Sequence, residues 1–228
     1  MISPVPVITL DGPSGVGKGT VSLRLAKQLG WHTLDSGALY RVLALAAVHH
    51  SLSLSDEDAL ADLAIRLNVH FKAVPTLDIT HVFLEEQEVS AQLRTETGGA
   101  MASQLAILPA VRQSLLKRQR AFRQPPGLIA EGRDMGTVVF NDAPVKIFLT
   151  ANPEERAQRR YKQLKQKGID AKLDSLITEI AERDNRDMTR TVAPLLVAAD
   201  AEVIDTTDLS IEQVVEYILQ QVSRKIDS

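Results

Sequence analysis

The chain has 228 residues, with 26 Lys+Arg against 29 Asp+Glu for a formal net charge of −3, and contains no cysteine. The missing cysteines exclude disulfide frameworks, thiol catalysis and Cys-ligated zinc, and the mildly acidic balance argues against a protein whose main task is to wrap nucleic acid. A composition of 44 % hydrophobic and 24 % charged residues reads as globular, in a chain long enough to bury roughly 70 % of its unfolded surface as one large domain or one domain with an insert.

Taken in chain order, the segment Met1-Ile2-Ser3-Pro4-Val5-Pro6 lacks a basic region and its prolines break any signal helix. The longest uninterrupted apolar run, Val42 to Val48, is far short of the roughly 18 to 20 residues a spanning helix needs. Both features predict a soluble, cytoplasmic protein with no membrane partner. Short apolar runs then alternate with longer helical stretches, the pattern of a parallel sheet covered by helices. A strand is predicted at Val5–Leu10, a helix at Lys18–Leu29, a strand at Thr33–Leu34, and helices at Gly37–His50 and Asp56–Leu67. A helix at Ala110–Arg123 precedes strands at Leu128–Ala130 and Val145–Thr150. Helices at Glu154–Lys167 and Ser175–Arg190, a strand at Glu202–Ile204 and a helix at Ile211–Val222 complete the series, the last opened by a Ser210/Gln213 capping box.

The stretch Asn68–Ser90 breaks this rhythm. Val69, Phe71 and Ala73 alternate with His70 and Lys72, Pro75 and Thr76 mark a turn, and Leu77–Leu84 is rich in β-branched and apolar residues. These features predict a small antiparallel sheet inserted into the α/β domain.

The strongest motif follows the first strand: Gly12-Pro13-Ser14-Gly15-Val16-Gly17-Lys18-Gly19-Thr20, then an amphipathic helix. Strand, glycine loop, lysine and helix in that order place inward-pointing N–H groups, a helix N-terminus and a mobile cation around a polyphosphate. Position 19 is Gly where the general motif carries Ser or Thr, and the hydroxyl comes one residue later at Thr20. The protein ligands of any metal are therefore left open. Gly-Lys-Gly-Thr resembles the ending found in nucleoside monophosphate kinases.

A phosphoryl transferase works mainly by alignment and charge neutralisation, so its arginines should share faces. Arg156, Arg159 and Arg160 fall at i, i+3, i+4, and Arg183, Asp187 and Arg190 at i, i+4, i+7. A solvated, salt-bridged helix explains the first set equally well; the second ends at a Val192–Pro194 break, from which a side chain can reach into a cleft. The polar Lys162–Lys172 segment between them suits a lid. The basic run from Arg112 to Arg123 reads as a solvated helix face before it reads as a nucleic-acid patch. The five histidines show no metal-ligand spacing, and no G-x-S-x-G is present.

With the phosphate loop, three further motifs resemble the bacterial cytidylate (CMP) kinases over essentially the whole chain: Asp35-Ser36-Gly37-Ala38-Leu39-Tyr40-Arg41, Glu131-Gly132-Arg133-Asp134-Met135-Gly136, and Arg183-Asp184-Asn185-Arg186-Asp187 with Arg190. Glu131 stands where some members carry Asp. The resemblance implies an α/β P-loop core with a five-stranded parallel sheet flanked by helices, an inserted antiparallel NMP-binding subdomain, and a lid. It places the core at about 1–67, 98–155 and 191–228, the insert at about 68–97 and the lid at about 156–190. It also implies transfer of a phosphoryl group from ATP, as its Mg2+ complex, to CMP or dCMP by a monomer with no nucleic-acid partner. Gly12 to Thr20 would then bind the ATP phosphates. Arg41, Arg133 and Arg190 would hold the CMP phosphate with Ser36 nearby, Arg183 and Asp187 the sugar, and Ser103, Arg112 and Asp134 the base. Lys18, Arg133, Arg159 and Arg190 would carry the catalytic charge. A carboxylate at Asp134 suits the cytosine amino group, as in DNA readout. A kinase for another small acceptor, or a nucleotide-dependent regulator, remains an alternative at this point.

Overall fold

The computed structural model describes residues 5–74, 79–93, 95–166, 168 and 170–226. The chain opens with β1 (Val7–Asp11), all five residues buried, then α1 (Lys18–Leu29), β2 (His32–Asp35), α2 (Ser36–His49) and α3 (Glu57–Arg66). A second group follows: β3 (Val69–Val74), β4 (Ile79–Leu84), β5 (Gln87–Glu88), α4 (Ser90–Leu93), α5 (Glu96–Leu105) and α6 (Pro109–Ala121). The remainder is β6 (Leu128–Gly132), a π-helical turn at Met135–Val139, β7 (Val145–Thr150), α7 (Pro153–Gln166), α8 (Leu173–Thr189), β8 (Glu202–Asp205) and α9 (Ile211–Lys225).

Five strands form one parallel sheet in the order β2-β6-β1-β7-β8, with Val7 opposite Leu128 and Ile8 opposite Val145 in the central registers. Central strands of a parallel sheet are covered on both faces, which is why β1 and β6 read as short continuous apolar runs. One face, with Ile8, Leu10, Ile147 and Leu149, packs against Val21 and Leu25 of α1 and Val214, Ile218 and Val222 of α9. The other holds Val7, Leu34, Leu128 and Ala130 against Leu39, Val139 and Phe140. A further cluster joins α2, α3, α5 and α6 to Val82 and Leu84 of the three-stranded antiparallel sheet β3-β4-β5. That sheet is the inserted one; the Pro75–Thr76 turn lies outside the described residues, and so do Met1–Pro4 and, between α7 and α8, Lys167 and Ile169.

Helix starts follow local chemistry. Asp35 caps α2 through Ala38 N, Asp56 caps α3 through Ala59 N, and Ser210 with Gln213 forms the full capping box of α9. The first strand begins two residues later than its apolar run, at Val7. Two helices within 90–105 and the π-helical turn carry no periodic signal in the sequence, because Gly98, Gly99 and Gly136 interrupt both patterns. The basic run of α6 is not a bare solvated face. Arg118 donates to Leu67 O (2.7 Å), Arg120 to Val139 O (3.0 Å), and Arg123 to Val5 O (2.6 Å) while pairing with Asp142 (2.7 Å). Arginines supply several donors in a rigid fork, and here they stitch chain ends and turns to the helix.

Gly127 precedes β6 under the ring of the only tryptophan, and a Cβ there would lie 2.3 Å from Trp31 Cδ2. Gly127→Ala must therefore push the ring aside. The expected outcome is a loss of about 1–3 kcal/mol in urea unfolding together with a red shift of tryptophan emission; unchanged emission and stability would show that the ring does not rest on this glycine.

Candidate active site

Three of the four motifs named from the sequence fall at the carboxyl ends of the parallel strands, where open α/β sheets bind ligands, and the Arg183–Asp187 motif lies on α8. The glycine loop leaves β1, Ser36 follows β2, Arg133 follows β6, and Thr206 follows β8. A cleft of about 1160 Å³ runs along this edge. Ser14 to Gly17, Arg159, Arg160 and Thr206 to Ser210 line one part of it, and Asp35, Arg41, Glu131 and Arg183 line another.

The loop is built for close approach. Gly12 has φ +142°, and a Cβ there would sit 2.0 Å from Leu149 O on the neighbouring strand. Gly17, at φ 95°, stands at the N-cap of α1 and offers no side chain to the first-turn N–H groups. Side chains cap α2, α3, α5 and α9, whereas no side chain caps α1, and its first-turn donors face the glycine loop, a setting suited to an anion. Lys18 is buried, and its Nζ donates to Gly12 O and Pro13 O, both at 2.7 Å. Burial and then the nearby Arg133 charge hold its pKa well below that of an ordinary lysine, against the opposing pull of Glu131.

Two carboxylates flank this lysine, Asp11 buried and Glu131 half-buried at the cleft. Asp11, at the end of β1, accepts Met135 N (2.9 Å) and Gly136 N (2.8 Å), which pins the π-helical turn to the sheet. Burial outweighs these bonds and raises its pKa to about 6. Glu131 is pushed up to about 8 by burial and by the neighbouring Asp35 charge. A Cβ on Gly19 would lie 3.4 Å from Glu131 Oε1, so the carboxylate lies against the start of α1.

The residues assigned to the acceptor come together in two paired groups. Arg133 Nε meets Asp187 Oδ2 at 2.6 Å, and Arg133 Nη2 reaches Ser14 Oγ at 3.4 Å, joining the loop to α8. Asp187 is buried, which opposes its charge, yet Arg133 holds it below the usual carboxylate range. Behind this, Arg112 is bonded directly to Asp134, and Arg190 Nη2 lies 3.8 Å from Asp134 Oδ1. Tyr40 Oη takes a weaker bond from Arg112 (3.4 Å), and burial raises its pKa to about 12. Arg190 Nε is anchored on Ala193 O (2.6 Å), while its buried Nη2 has no hydrogen-bond partner among the described residues. Ser103 is buried on α5, and Ser36 Oγ donates to Glu131 O (2.8 Å). Arg41 lies 3.9 Å from Asp35 Oδ2, and Arg183 Nη1 would lie 3.2 Å from a Cβ on Gly99 of α5.

The three arginines at i, i+3, i+4 separate in role. Arg159 bonds Thr206 O (2.6 Å), Thr206 Oγ1 (3.2 Å) and Thr207 O (3.1 Å) as well as Glu155 (3.1 Å), placing it at the far wall of the cleft beside the loop after β8. Arg160 lines the cleft, whereas Arg156 is buried beneath the glycine loop. Asp11, Thr206 and Thr207 lie outside the sequence motifs, and Tyr40 and Asp184 lie within them without an assigned role. Asp184 carries a signal in hindsight, since the Arg183–Asp187 segment places two carboxylates three residues apart on one helical face.

A family model described as cytidylate kinase matches residues 8–224. The chain is 57 % identical over 221 residues to a cytidylate kinase of Shewanella frigidimarina, covering 97 % of this chain and 96 % of that one. It is 58 % identical over 229 residues to a cytidylate kinase of Photobacterium profundum, covering 99 % and 100 % of the two chains. A cytidylate kinase of Pseudomonas aeruginosa is 58 % identical over 221 residues, covering 97 % and 96 %. A glycine loop, a buried lysine and two arginine–carboxylate groups on one sheet edge thus accompany a family match over nearly the whole length: the chain belongs to the cytidylate kinase family.

Proposed function

We infer that the protein transfers the γ-phosphoryl group of ATP to CMP or dCMP, yielding ADP and the cytidine diphosphate. The observation that carries this reading is Arg133, which touches the phosphate loop at Ser14 and the acceptor group at Asp187. A side chain so placed can bridge a donor and an acceptor phosphate. The family's relatives, named cytidylate kinases, support the choice of base. On this reading residues 1–67, 98–155 and 191–228 form the core, 68–97 the acceptor insert and 156–190 the lid.

The acceptor phosphate has a second pKa of about 6, so at neutral pH it attacks as a dianion and no general base is required. Gly12 to Thr20 bind the ATP phosphates by backbone N–H groups, with Lys18 as the mobile cation. Arg41, Arg133 and Arg190, with Ser36, align the CMP phosphate. Arg183 and Asp187 hold the sugar. Charge that develops during in-line transfer meets fixed cations, and closure excludes water as a competing acceptor. Arg159, clamped to the Thr206–Thr207 carbonyls, keeps the far wall of the cleft in place and adds charge from that side.

Cytosine offers an amino group at N4 and acceptors at N3 and O2. Asp134 accepts from the amino group and Arg112 donates to the acceptors, with Ser103 beside them. The two ionic side chains are already bonded to each other, so the base exchanges one set of buried contacts for another.

Mg2+ fits this edge in one way. Among the described residues there is no cluster of three His, Cys, Asp or Glu side chains able to hold a metal alone. Mg2+ commonly binds through phosphates and one or two carboxylates while retaining waters. Glu131 would be suited to hold it, because its half-buried carboxylate lines the cleft beside the start of α1, where a divalent cation would offset its charge. Held there with ATP, it would supply positive charge to the transferring phosphates.

Three outcomes are expected. In a coupled assay with ATP fixed, ADP should form with CMP or dCMP and only weakly with UMP, AMP, dTMP or shikimate; ADP release indifferent to CMP would overturn the reading. Asp134→Ala should raise KM for CMP by about 10- to 100-fold, the weight of a lost specific pairing, while KM for ATP stays within about twofold; equal losses would remove Asp134 from base selection. Glu131 also sets a pH dependence. Its folded pKa of about 8 lies above the unfolded 4.5, so the protonated form is favoured by folding and its stabilising effect, full below 4.5, is lost as pH rises through 8. Thermal unfolding of Glu131→Gln and wild type should therefore coincide near pH 5 and diverge toward pH 8, the variant melting higher. A constant gap would show that Glu131 does not titrate in that window.

A further inference from the structure

Ser14 is gripped from two sides. Arg156 Nη1 donates to its carbonyl at 3.0 Å, and Arg133 Nη2 reaches its hydroxyl at 3.4 Å. Each arginine is paired with an aspartate of α8: Arg156 with Asp184 and Arg133 with Asp187, both at 2.6 Å. The two aspartates lie three residues apart, about one turn, and therefore on one helical face. Arg183, immediately before Asp184, lines the cleft.

The Arg133–Asp187 pair belongs to the acceptor group already described. The Arg156–Asp184 pair does not: Arg156 is 4 % exposed and Asp184 9 %, and the pair's bonds run to the loop carbonyl of Ser14 and to Ala151 O. Arg156 Nε is also fixed to Ala151 O (3.2 Å) just beyond β7, and a Cβ on Gly15 would meet Arg156 Cβ at 3.1 Å. The arginine is a rigid post under the loop. Asp184 spends Oδ2 on this post, while its buried Oδ1 has no hydrogen-bond partner among the described residues. Buried ion pairs are weak sources of stability, and an unsatisfied buried carboxylate oxygen is a cost that calls for an explanation.

We propose that Arg156 and Asp184 are positioning residues that couple the acceptor site to the phosphate loop, so that an occupied acceptor site tightens binding of ATP. The proposal rests on the functional reading above. The acceptor nucleotide engages Arg133, Arg183 and Asp187 and so biases the placement of α8. Asp184 rides on the same helix and passes that bias through the Arg156 fork to the Ser14 carbonyl. The loop conformation that receives ATP phosphates is thereby favoured. Coupling of this kind is reciprocal, so ATP must tighten CMP by the same factor.

The test is calorimetric titration of the non-hydrolysable analogue AMP-PNP, with Mg2+, into full-length protein with and without saturating CMP. Wild type should bind the analogue about fivefold or more tightly when CMP is present, the lower end of ordinary coupling. In Asp184→Asn, which keeps shape and removes the ion pair, that ratio should fall toward one while affinity for each ligand alone stays within about threefold, a range no larger than context effects. Asp184→Glu should restore part of the ratio. Arg156→Lys retains a charge but cannot reach Ser14 O and Asp184 with one planar group, and it should lose the coupling as Asp184→Asn does; it serves if the latter fails to fold. A ratio of one in wild type, or an undiminished ratio in either folded variant, overturns the proposal. Wild-type protein that binds the analogue but not CMP would instead overturn the functional reading, and the CMP titration alone reports it.

Discussion

The whole carboxyl edge of the sheet depends on one constraint: its cations, proposed to meet phosphate, are buried or half-buried, and charge withdrawn from water needs partners before any ligand arrives. Stranding one member of a buried pair costs about 3–5 kcal/mol. The structure answers with local pairings throughout. Lys18 turns back onto the Gly12 and Pro13 carbonyls, Arg133 takes Asp187, Arg112 takes Asp134, and Arg156 takes Asp184. None of these partners is a spectator of the fold. On the proposed reading the first three are exchanged, at least in part, when a ligand enters, and the Arg156–Asp184 pair stays in place beneath the loop. A net charge of −3 is therefore compatible with polyanionic ligands, because acidic residues elsewhere offset a local concentration of cations.

The same constraint explains the two carboxylates that remain poorly served. Asp11 is held by two backbone N–H groups, and this fixes the π-helical turn beneath the motif that carries Arg133 and Asp134. Glu131 has Lys18, Arg41 and Arg133 near it, yet burial still dominates and its pKa climbs to about 8. A carboxylate in that state is a poor structural element and a good receiver of positive charge. Its backbone carbonyl meanwhile orients Ser36, so one residue ties the ends of β2 and β6 at the acceptor side.

Much of this edge was legible from the residues in order. The strand–glycine loop–lysine–helix succession is decided by short-range chemistry, and β1 and α1 follow it closely. The parallel sheet was legible because buried strands of this kind are short apolar runs closed by Gly, Pro or Asp, as at Leu128–Gly132 and Val145–Thr150. Helices α4 and α5 were not, since Gly98 and Gly99 lower helix propensity and the segment is held by packing onto α2 and by the Thr95 cap. Spacing placed Arg156, Arg159 and Arg160 on one face, but one face of a helix that crosses the mouth of a cleft can look both inward and under. Which arginine is a post and which lines the wall is set by α8 and the loop after β8, and those are distant in sequence. The pairing of Arg118, Arg120 and Arg123 with carbonyls was invisible for the same reason.

In the site as proposed, selection of a base depends on exchange more than on stacking. Aromatic residues make up only 4 % of the chain, and among the described residues the acceptor groups are ionic and hydroxylic, with Tyr40 contributing its hydroxyl to Arg112. A base that satisfies both Asp134 and Arg112 replaces their mutual bond with two matched ones, so the cost of separating them is recovered. A base with a carbonyl where cytosine has its amino group leaves Asp134 facing an acceptor in a buried site. It must also still separate Asp134 from Arg112, and Arg190 stands only 3.8 Å away with a buried Nη2 that has no hydrogen-bond partner among the described residues. The penalty for the wrong base is then the sum of a broken ion pair and an unsatisfied charge, which is why sites built on hydrogen bonds discriminate more sharply than apolar ones. The self-paired resting arrangement thus contributes to specificity by making every incorrect entry more costly than leaving the pair intact.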